Sequence, residues 1–167
     1  MKVHKESFGL KSESNHPTFH DVTRQVASAV NHSGVTDGIC VVYSRHTTCS
    51  VVTQETSHDV NYYGIEYLQQ DLIEVMERIV PQCLTEGQYH HPGPKHIDYA
   101  VNVSHEEGAW TSLNTDAHLR SVIMGRSETI VIEDGKLDLG EFGFIYFIDW
   151  DQIRDRERVC QVRIIGE

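Results

Sequence analysis

The stretch of sequence that decides the fold lies between residues 129 and 139 and reads Thr129-Ile130-Val131-Ile132-Glu133-Asp134-Gly135-Lys136-Leu137-Asp138-Leu139. Its first five residues are mostly β-branched, which favours a strand, and apolar and polar residues alternate after the turn, as in a half-buried strand. The Asp-Gly pair between the two segments is a strong signal for a two-residue hairpin turn. The stretch therefore predicts two antiparallel strands.

Four further segments are predicted as strands because they are apolar and rich in β-branched residues. Two lie early in the chain, Gly38–Ser44 and Thr48–Thr53, and Arg45-His46-Thr47 is the point where the chain leaves one strand and enters the next. The other two, Gly143–Trp150 and Arg158–Ile165, follow the hairpin and complete a run of four strands.

Three amphipathic helices are predicted between these strands, over about Phe19–Val30, Gln69–Val80 and Asn114–Gly125. Each directs apolar residues to one face: Val22, Val26 and Val30 in the first, Leu72, Met76, Ile79 and Val80 in the second, and Leu119, Val122 and Ile123 in the third. Long antiparallel strands with helices inserted early predict an α+β fold, an antiparallel β-sandwich with helices packed on one side.

Length and charge limit the possible functions. The 167 residues suit a single domain over 1–167, and 14 Lys+Arg against 25 Asp+Glu give a formal charge of −11. A chain this acidic is not expected to bind nucleic acid, which requires a basic face, although a small local basic pocket remains compatible with it.

The expected location is the cytoplasm. No apolar run approaches the ~18–20 residues of a membrane span, and the charged segment Met1–Glu6 has no apolar stretch behind it, so we expect neither a membrane anchor nor a secretory signal. The four cysteines are scattered without a C-x-x-C pair, which argues against a disulfide framework or a zinc knuckle.

Histidine is the unusual residue of this chain. Eleven are present, and five fall between residues 90 and 118: His90, His91, His96, His105 and His118. Most of these lie in a segment of ~30 residues, 82–112, that shows little hydrophobic periodicity, and connections of that length are usually functional or disordered. Three imidazoles with an open fourth position make a catalytic metal site, and the alternative is scattered surface histidines. Spacing alone does not select three ligands from eleven.

Carboxylates and arginines supply the other candidate groups. Glu55 directly follows the Thr48–Thr53 strand, where it is either a functional carboxylate or an ordinary solvated surface residue. Asp71 and Asp116 lie near helix starts, where capping or a favourable interaction with the helix dipole also explains them. Asp149 and Asp151 precede a cluster of three arginines, Arg154, Arg156 and Arg158. Such a cluster predicts either an anion clamp, because guanidinium binds phosphate bidentately, or an edge strand laced with ion pairs.

An ordered series of motifs resembles one known family. The motifs are Arg45-His46-Thr47-Thr48, Gln54-Glu55, Asp71-Leu72, Tyr89-His90-His91, Asn114-Thr115-Asp116-Ala117-His118, Gly125, Asp134-Gly135 and Leu139-Gly140. Together they resemble the YjbQ-like family, an uncharacterised group described as secondary thiamine-phosphate synthase. The chain departs from it at Phe142-Gly143 and Gln152-Ile153, and it has apparent insertions around 61–69 and 93–112.

The resemblance implies an α+β sandwich, a homotrimer and a cleft formed by the histidines and acids. It also implies a thiamine-phosphate synthase-like activity, which joins a pyrimidine diphosphate to a thiazole phosphate and releases pyrophosphate. The metal that it implies is a divalent ion, most simply zinc, bound by His46, His91 and His118. The implied catalytic residues are Glu55, Asp71 and Asp149. The implied substrate-binding residues are Thr47, Thr48, Asp116 and Arg154.

Two functions follow from this set of residues. The first is a small metal-dependent enzyme that acts on a phosphorylated small molecule, and the second is a non-catalytic trimer that binds a metal or an anionic metabolite. A cupin-like metal protein is disfavoured because no H-x-H followed by Glu occurs.

Overall fold

The structure, a computed structural model, describes residues 1–104 and 108–167 of the chain; His105 lies outside the described residues. The strands are β1 Lys2–Ser12, β2 Thr18–Asp21, β3 Gly38–Ser44, β4 Cys49–Glu55, β5 Ser127–Glu133, β6 Lys136–Leu137, β7 Gly143–Asp149 and β8 Arg156–Gly166. The α-helices are α1 Thr23–Ser33, α2 Tyr67–Ile79, α3 Pro94–Tyr99 and α4 Thr115–Met124, with a π-helical turn at Ala100–Ser104 and a 3₁₀ turn at Ala109–Ser112.

Two antiparallel sheets face each other. The larger has the order β1-β8-β3-β5-β6 and the smaller the order β2-β7-β4. The core between them comes from inward residues of both sheets and from α1, which contributes Val26, Ala29 and Val30. β7 is the central strand of the small sheet and is buried over most of its length, which explains its continuous apolar sequence.

Helices α2 and α4 cover the outer face of the small sheet. There a second apolar cluster joins Met76 of α2 and Ala117 of α4 to Ile148 and Trp150. The architecture is therefore the expected α+β sandwich with helices on one side, and α1 differs from the other two because it packs into the core between the sheets.

The hairpin that decides the fold forms as predicted. Asp134 and Gly135 both have positive φ, 49° and 73°, as a type I′ turn requires, and they connect β5 to β6. Gly166, near the end of β8, has no room for a side chain because an added Cβ would lie 2.1 Å from the carbonyl oxygen of Asp37.

Four details of the predicted elements are wrong. Residues 18–21 are strand β2 and not the start of a helix, because they pair with β7 and the helix begins only at Thr23. β1, which pairs along its whole length with β8, was not predicted. On α4 the predicted inward residues are exposed, because the buried face carries Asp116, Arg120 and Ser121 instead; the exposed fractions are 40% for Leu119, 78% for Val122 and 55% for Ile123. On α2, Ile79 is 61% exposed and does not share the buried face of Met76.

Among residues 1–104 and 108–167, no helix combines the length and the apolar character needed to span a membrane.

Candidate functional site

A polar cleft opens where the β3–β4 connection meets the start of α4 and the start of β8. Its volume is about 310 Å³. The side chains that line it come from these three places: Arg45, His46, Thr47 and Thr48; Asn114 and His118; and Asp151, Arg156 and Arg158. The fold thus brings together residues that are more than 100 positions apart in the sequence.

The cleft is locally basic in an acidic protein. Three arginines, Arg45, Arg156 and Arg158, line it together with the Asp151 carboxylate and above the buried carboxylate of Asp149, although the formal charge of the whole chain is −11. Arg156 and Arg158 are two positions apart on β8, and alternate residues of a strand point to the same face. Arg156 lies 3.8 Å from the Asp151 carboxylate, and its Nε is buried without a hydrogen-bond partner among the described residues.

Asp149 and Arg158 form the floor of the cleft. Arg158 donates from Nε and Nη2 to the two carboxylate oxygens of Asp149, and its Nη2 also donates to the Thr48 hydroxyl. Thr48 in turn donates to Asp149 Oδ1 at 3.3 Å. Burial lowers the pKa of Arg158, but the hydrogen bonds that it donates to Asp149 and the negative charge of that carboxylate outweigh burial, so the pKa of the guanidinium rises. These groups satisfy one another and hold β7, β8 and the β3–β4 turn together.

The imidazole of His46 is tied to the backbone of β8. Its Nε2 lies 3.0 Å from the amide nitrogen of Val159, so Nε2 accepts that N–H and the ring proton is on Nδ1. Burial lowers the pKa of His46, and the nearby charge of Arg158 lowers it further. His46 is therefore a neutral side chain whose one lone pair is already used.

His91 and His118 lie next to each other, with ring centroids 5.8 Å apart. The Thr115 hydroxyl donates to the His91 carbonyl oxygen at 2.6 Å, and it lies 2.9 Å from His91 Nδ1. Because a hydroxyl has one hydrogen, Nδ1 must be the donor in the second bond, which leaves the Nε2 lone pair of His91 available. Burial lowers the pKa of both imidazoles, and the backbone of Thr47 partly offsets this effect on the pKa of His118.

His96 is the third member of this group of rings. It lies on α3, and its ring centroid is 4.5 Å from that of His91 in an edge-to-face arrangement. Within residues 1–104 and 108–167, no three His, Cys, Asp or Glu side chains already meet in a geometry that could hold a metal ion.

Asp116 is buried away from the cleft lining. Its Oδ1 accepts the backbone N–H of Cys83 at 3.1 Å, and its Oδ2 lies 3.8 Å from Arg120. Burial raises the pKa of Asp116. Arg120, fully buried, also pairs with Glu77 and donates to the Val80 carbonyl. Asp116 thus holds the chain after α2 against α4.

The expected site residues that do not line the cleft within one chain include Asp116, Glu55, Asp71 and Arg154. Glu55 is exposed at the far end of β4 and lines a separate groove with Glu128 and Asp138. Asp71 is exposed on the second turn of α2. Arg154 is half-buried in the connection between β7 and β8.

Sequence reasoning had not selected four contributors to this region: Arg45, Asn114, His96 and Thr115. The signal for Arg45 was its place directly before the His46-Thr47-Thr48 motif. His96 had no signal of its own, because its position depends on how the segment between α2 and α4 folds.

Comparisons with known proteins agree with this architecture. The model of the family described as "UPF0047 protein YjbQ-like" matches residues 7–167. The UPF0047 protein MJ1081 of Methanocaldococcus jannaschii is 32% identical over 147 residues, covering 88% of this chain and 84% of that protein. The UPF0047 protein YugU of Bacillus subtilis is 27% identical over 147 residues, covering 87% and 88%.

Solved structures show the same fold. The crystal structure of an uncharacterised YjbQ/UPF0047 family protein from Clostridium acetobutylicum superimposes with a TM-score of 0.70 at 29% identity, over 96% of this chain and 99% of that one. A YbjQ-like protein of unknown function from Sulfolobus solfataricus has a TM-score of 0.69 at 22% identity, over 99% of each chain, and it supports the fold alone.

Proposed function

The chain belongs to the UPF0047, YjbQ-like family, and on that premise we propose that its polar cleft binds a phosphorylated small molecule. The observation that carries the proposal is the meeting of Arg45, Arg156 and Arg158 around one cleft of an acidic protein. A phosphate group needs guanidinium and hydroxyl donors, and the cleft offers both, with Thr47 at its exposed side.

The two arginines of β8 have different tasks in this proposal. Arg158 uses Nε and Nη2 on the buried carboxylate of Asp149, so it shapes the floor. Arg156 lies beyond hydrogen-bond distance of Asp151 and has a buried Nε without a partner among the described residues. Arg156 is therefore the guanidinium with donors left for a phosphate, assisted by Arg45 and, from the neighbouring loop, Arg154.

The family resemblance adds a divalent metal, with zinc as the expected ion and His46, His91 and His118 as the expected ligands. His91 fits this role, because its Nδ1 is tied to the Thr115 hydroxyl as in metal-binding histidines, and the ring of His118 lies beside it. Bound there, the metal would supply a Lewis acid beside the phosphate site. His46 fits poorly, since its acceptor nitrogen takes the Val159 amide.

The finer activity that we propose from the resemblance is thiamine-phosphate synthase-like. The bond between the pyrimidine substrate and its diphosphate would break, and pyrophosphate would leave with the bonding electron pair as the thiazole nitrogen bonds to the carbon. Guanidinium groups stabilise the charge that develops on such a leaving group. The cleft arginines would supply this stabilisation.

A non-catalytic binding protein is the second candidate, and the placement of Glu55 favours it. In one chain this expected general base lies at the opposite end of β4 from Thr48 and Asp149. We also propose a homotrimer in the cytoplasm, in which sites near subunit boundaries would supply residues that one chain lacks. The apolar side chains that α4 exposes and the four free, buried thiols are compatible with these two proposals.

Calorimetric titration of inorganic phosphate and pyrophosphate into the whole protein tests the proposed function. Arg156→Lys should weaken binding by about 1–3 kcal/mol, because a lysine offers a point charge where arginine offers parallel donors. Arg24→Lys, an exposed arginine of α1, is the matched control and should leave the affinity unchanged. Equal affinity in the wild type and Arg156→Lys would contradict the phosphate site. Release of pyrophosphate from a pyrimidine diphosphate and a thiazole phosphate separates an enzyme from a binding protein.

A further inference from the structure

We propose that the metal beside the cleft is held by His91, His96 and His118, so that His96 takes the place expected for His46. The proposal rests on the metal part of the proposed function and assigns its ligands. It concerns a residue of α3, in the segment where the sequence shows an apparent insertion.

Ring separations support this set of ligands. Two imidazoles on one tetrahedral zinc, each at a Zn–N distance of about 2.0–2.1 Å, have ring centroids about 5 Å apart. The observed separations from His91 are 4.5 Å to His96 and 5.8 Å to His118. These values lie on either side of the expected one, and the three rings must still shift to converge, because no three such side chains among the described residues already meet around one point.

Tautomers support it as well. Thr115 forces the proton of His91 onto Nδ1, so the Nε2 lone pair is available to a metal. Partners of this kind orient metal-binding imidazoles and raise their basicity.

His46 is excluded by the same reasoning. Its Nε2 accepts the Val159 amide at 3.0 Å, and the proton on its Nδ1 leaves no lone pair for a metal. Binding through Nε2 would remove the acceptor of a half-buried amide of β8, which is costly. Three histidines without His46 also satisfy the usual catalytic arrangement of three protein ligands and an open fourth position.

Metal binding to the whole protein tests this assignment without any measurement of activity. The chelator-stripped protein is titrated with Zn²⁺ against a chromophoric competitor, and with Co²⁺ while its visible absorption reports the coordination geometry. His91→Ala, His96→Ala and His118→Ala should each lower the Zn²⁺ affinity at least about 100-fold, because loss of an outer partner alone costs roughly 10–100-fold.

Three further variants sharpen the result. His46→Ala and the neighbouring control His90→Ala should change the affinity by less than about threefold, while Thr115→Val, which removes the partner of His91, should lower it roughly 10–100-fold. Circular dichroism identifies any variant that fails to fold. If His96→Ala does not fold, His96→Asp, which keeps a metal-binding side chain at this position, takes its place and is followed by its Co²⁺ spectrum.

Retained affinity in His96→Ala, lost affinity in His46→Ala, or no binding of Zn²⁺ to the wild type would each overturn the assignment. Phosphate binding by the metal-free protein is measured in parallel. If phosphate binds and Zn²⁺ does not, only this inference fails; if phosphate does not bind, the proposed function fails.

Discussion

Asp149 receives two hydrogen bonds from Arg158, Nε to Oδ2 at 2.6 Å and Nη2 to Oδ1 at 3.2 Å, in a place where both side chains are buried. The pair connects the end of β7 to β8 directly under the cleft. In one chain, Asp149 therefore acts on any ligand through Arg158 and Thr48, which it holds in place.

Asp149→Asn should destabilise the protein by about 3–5 kcal/mol, because it leaves the buried charge of Arg158 without its counter-ion. Urea unfolding followed by circular dichroism measures the change. Glu157→Gln, an exposed neighbour on the same strand, is the control and should shift the unfolding free energy by under about 0.5 kcal/mol. A loss of under about 1 kcal/mol for Asp149→Asn would show that the pair does not contribute as proposed.

The unfolding free energy should fall as the pH drops below about 6.5. Burial lowers the pKa of His20, His46, His91 and His118 from the ordinary value of 6.5, so the unfolded chain takes up protons that the folded chain does not. Each histidine that stays neutral contributes up to about 1.4 kcal/mol per pH unit.

Thermal unfolding of the chelator-treated protein between pH 8 and 5.5 checks this prediction. Asp116 and Asp151 act in the opposite direction, since burial raises their pKa above the ordinary 3.8 and favours the folded state at lower pH. A melting temperature that stayed constant or rose from pH 7 to pH 5.5 would contradict the dominance of the histidines.

The exposed side chains of α4 should mediate self-association. Val122 is 78% exposed and Ile123 55% exposed, and a closed trimer is a means of covering such residues. Light scattering should give a trimer for the wild type and a smaller species for Val122→Asp. Glu128→Gln, on β5, is a control that should not change the mass. A monomeric wild type at micromolar concentrations would disprove the trimer.

Glu55 and Arg154 should give opposite results when each is changed conservatively. Glu55→Gln should retain ligand binding and lose turnover, because a general base contributes roughly 10²–10⁴-fold. Arg154→Lys should weaken the binding of the phosphorylated ligand by about 1–3 kcal/mol and leave the metal content of the protein unchanged. Calorimetry measures the ligand binding, elemental analysis measures the metal content, and pyrophosphate release measures the turnover. Full turnover in Glu55→Gln would remove Glu55 from the reaction.

Local signals were sufficient for most of the fold. Asp134-Gly135 specifies its turn by backbone conformation alone, so the hairpin was predictable. β1 was not, because the face that alternates inward begins with His4 and Glu6 before it reaches Phe8 and Leu10, and these polar residues hide the period.

Distant partners decided the rest. On α4 the buried position of Arg120 depends on Glu77 and the Val80 carbonyl, which lie about 40 residues earlier, so the apolar residues of this helix turn outward. Of the residues that the sequence proposed for a site, His46, Thr47, Thr48 and His118 line the same cleft, and the residue types alone suggested them. Its arginines were distinguishable only once β8 fixed which of them face inward.

Pairing of β1 with β8 also has a kinetic consequence. Ser12 pairs with Arg156 at a sequence separation of 144, and the whole of β1 depends on β8 for its register. A contact of such high sequence separation forms only after the entropy of closing a very long loop has been overcome, and proteins rich in such contacts fold slowly. During synthesis, β1 must therefore wait without its partner until nearly all of the chain has left the ribosome.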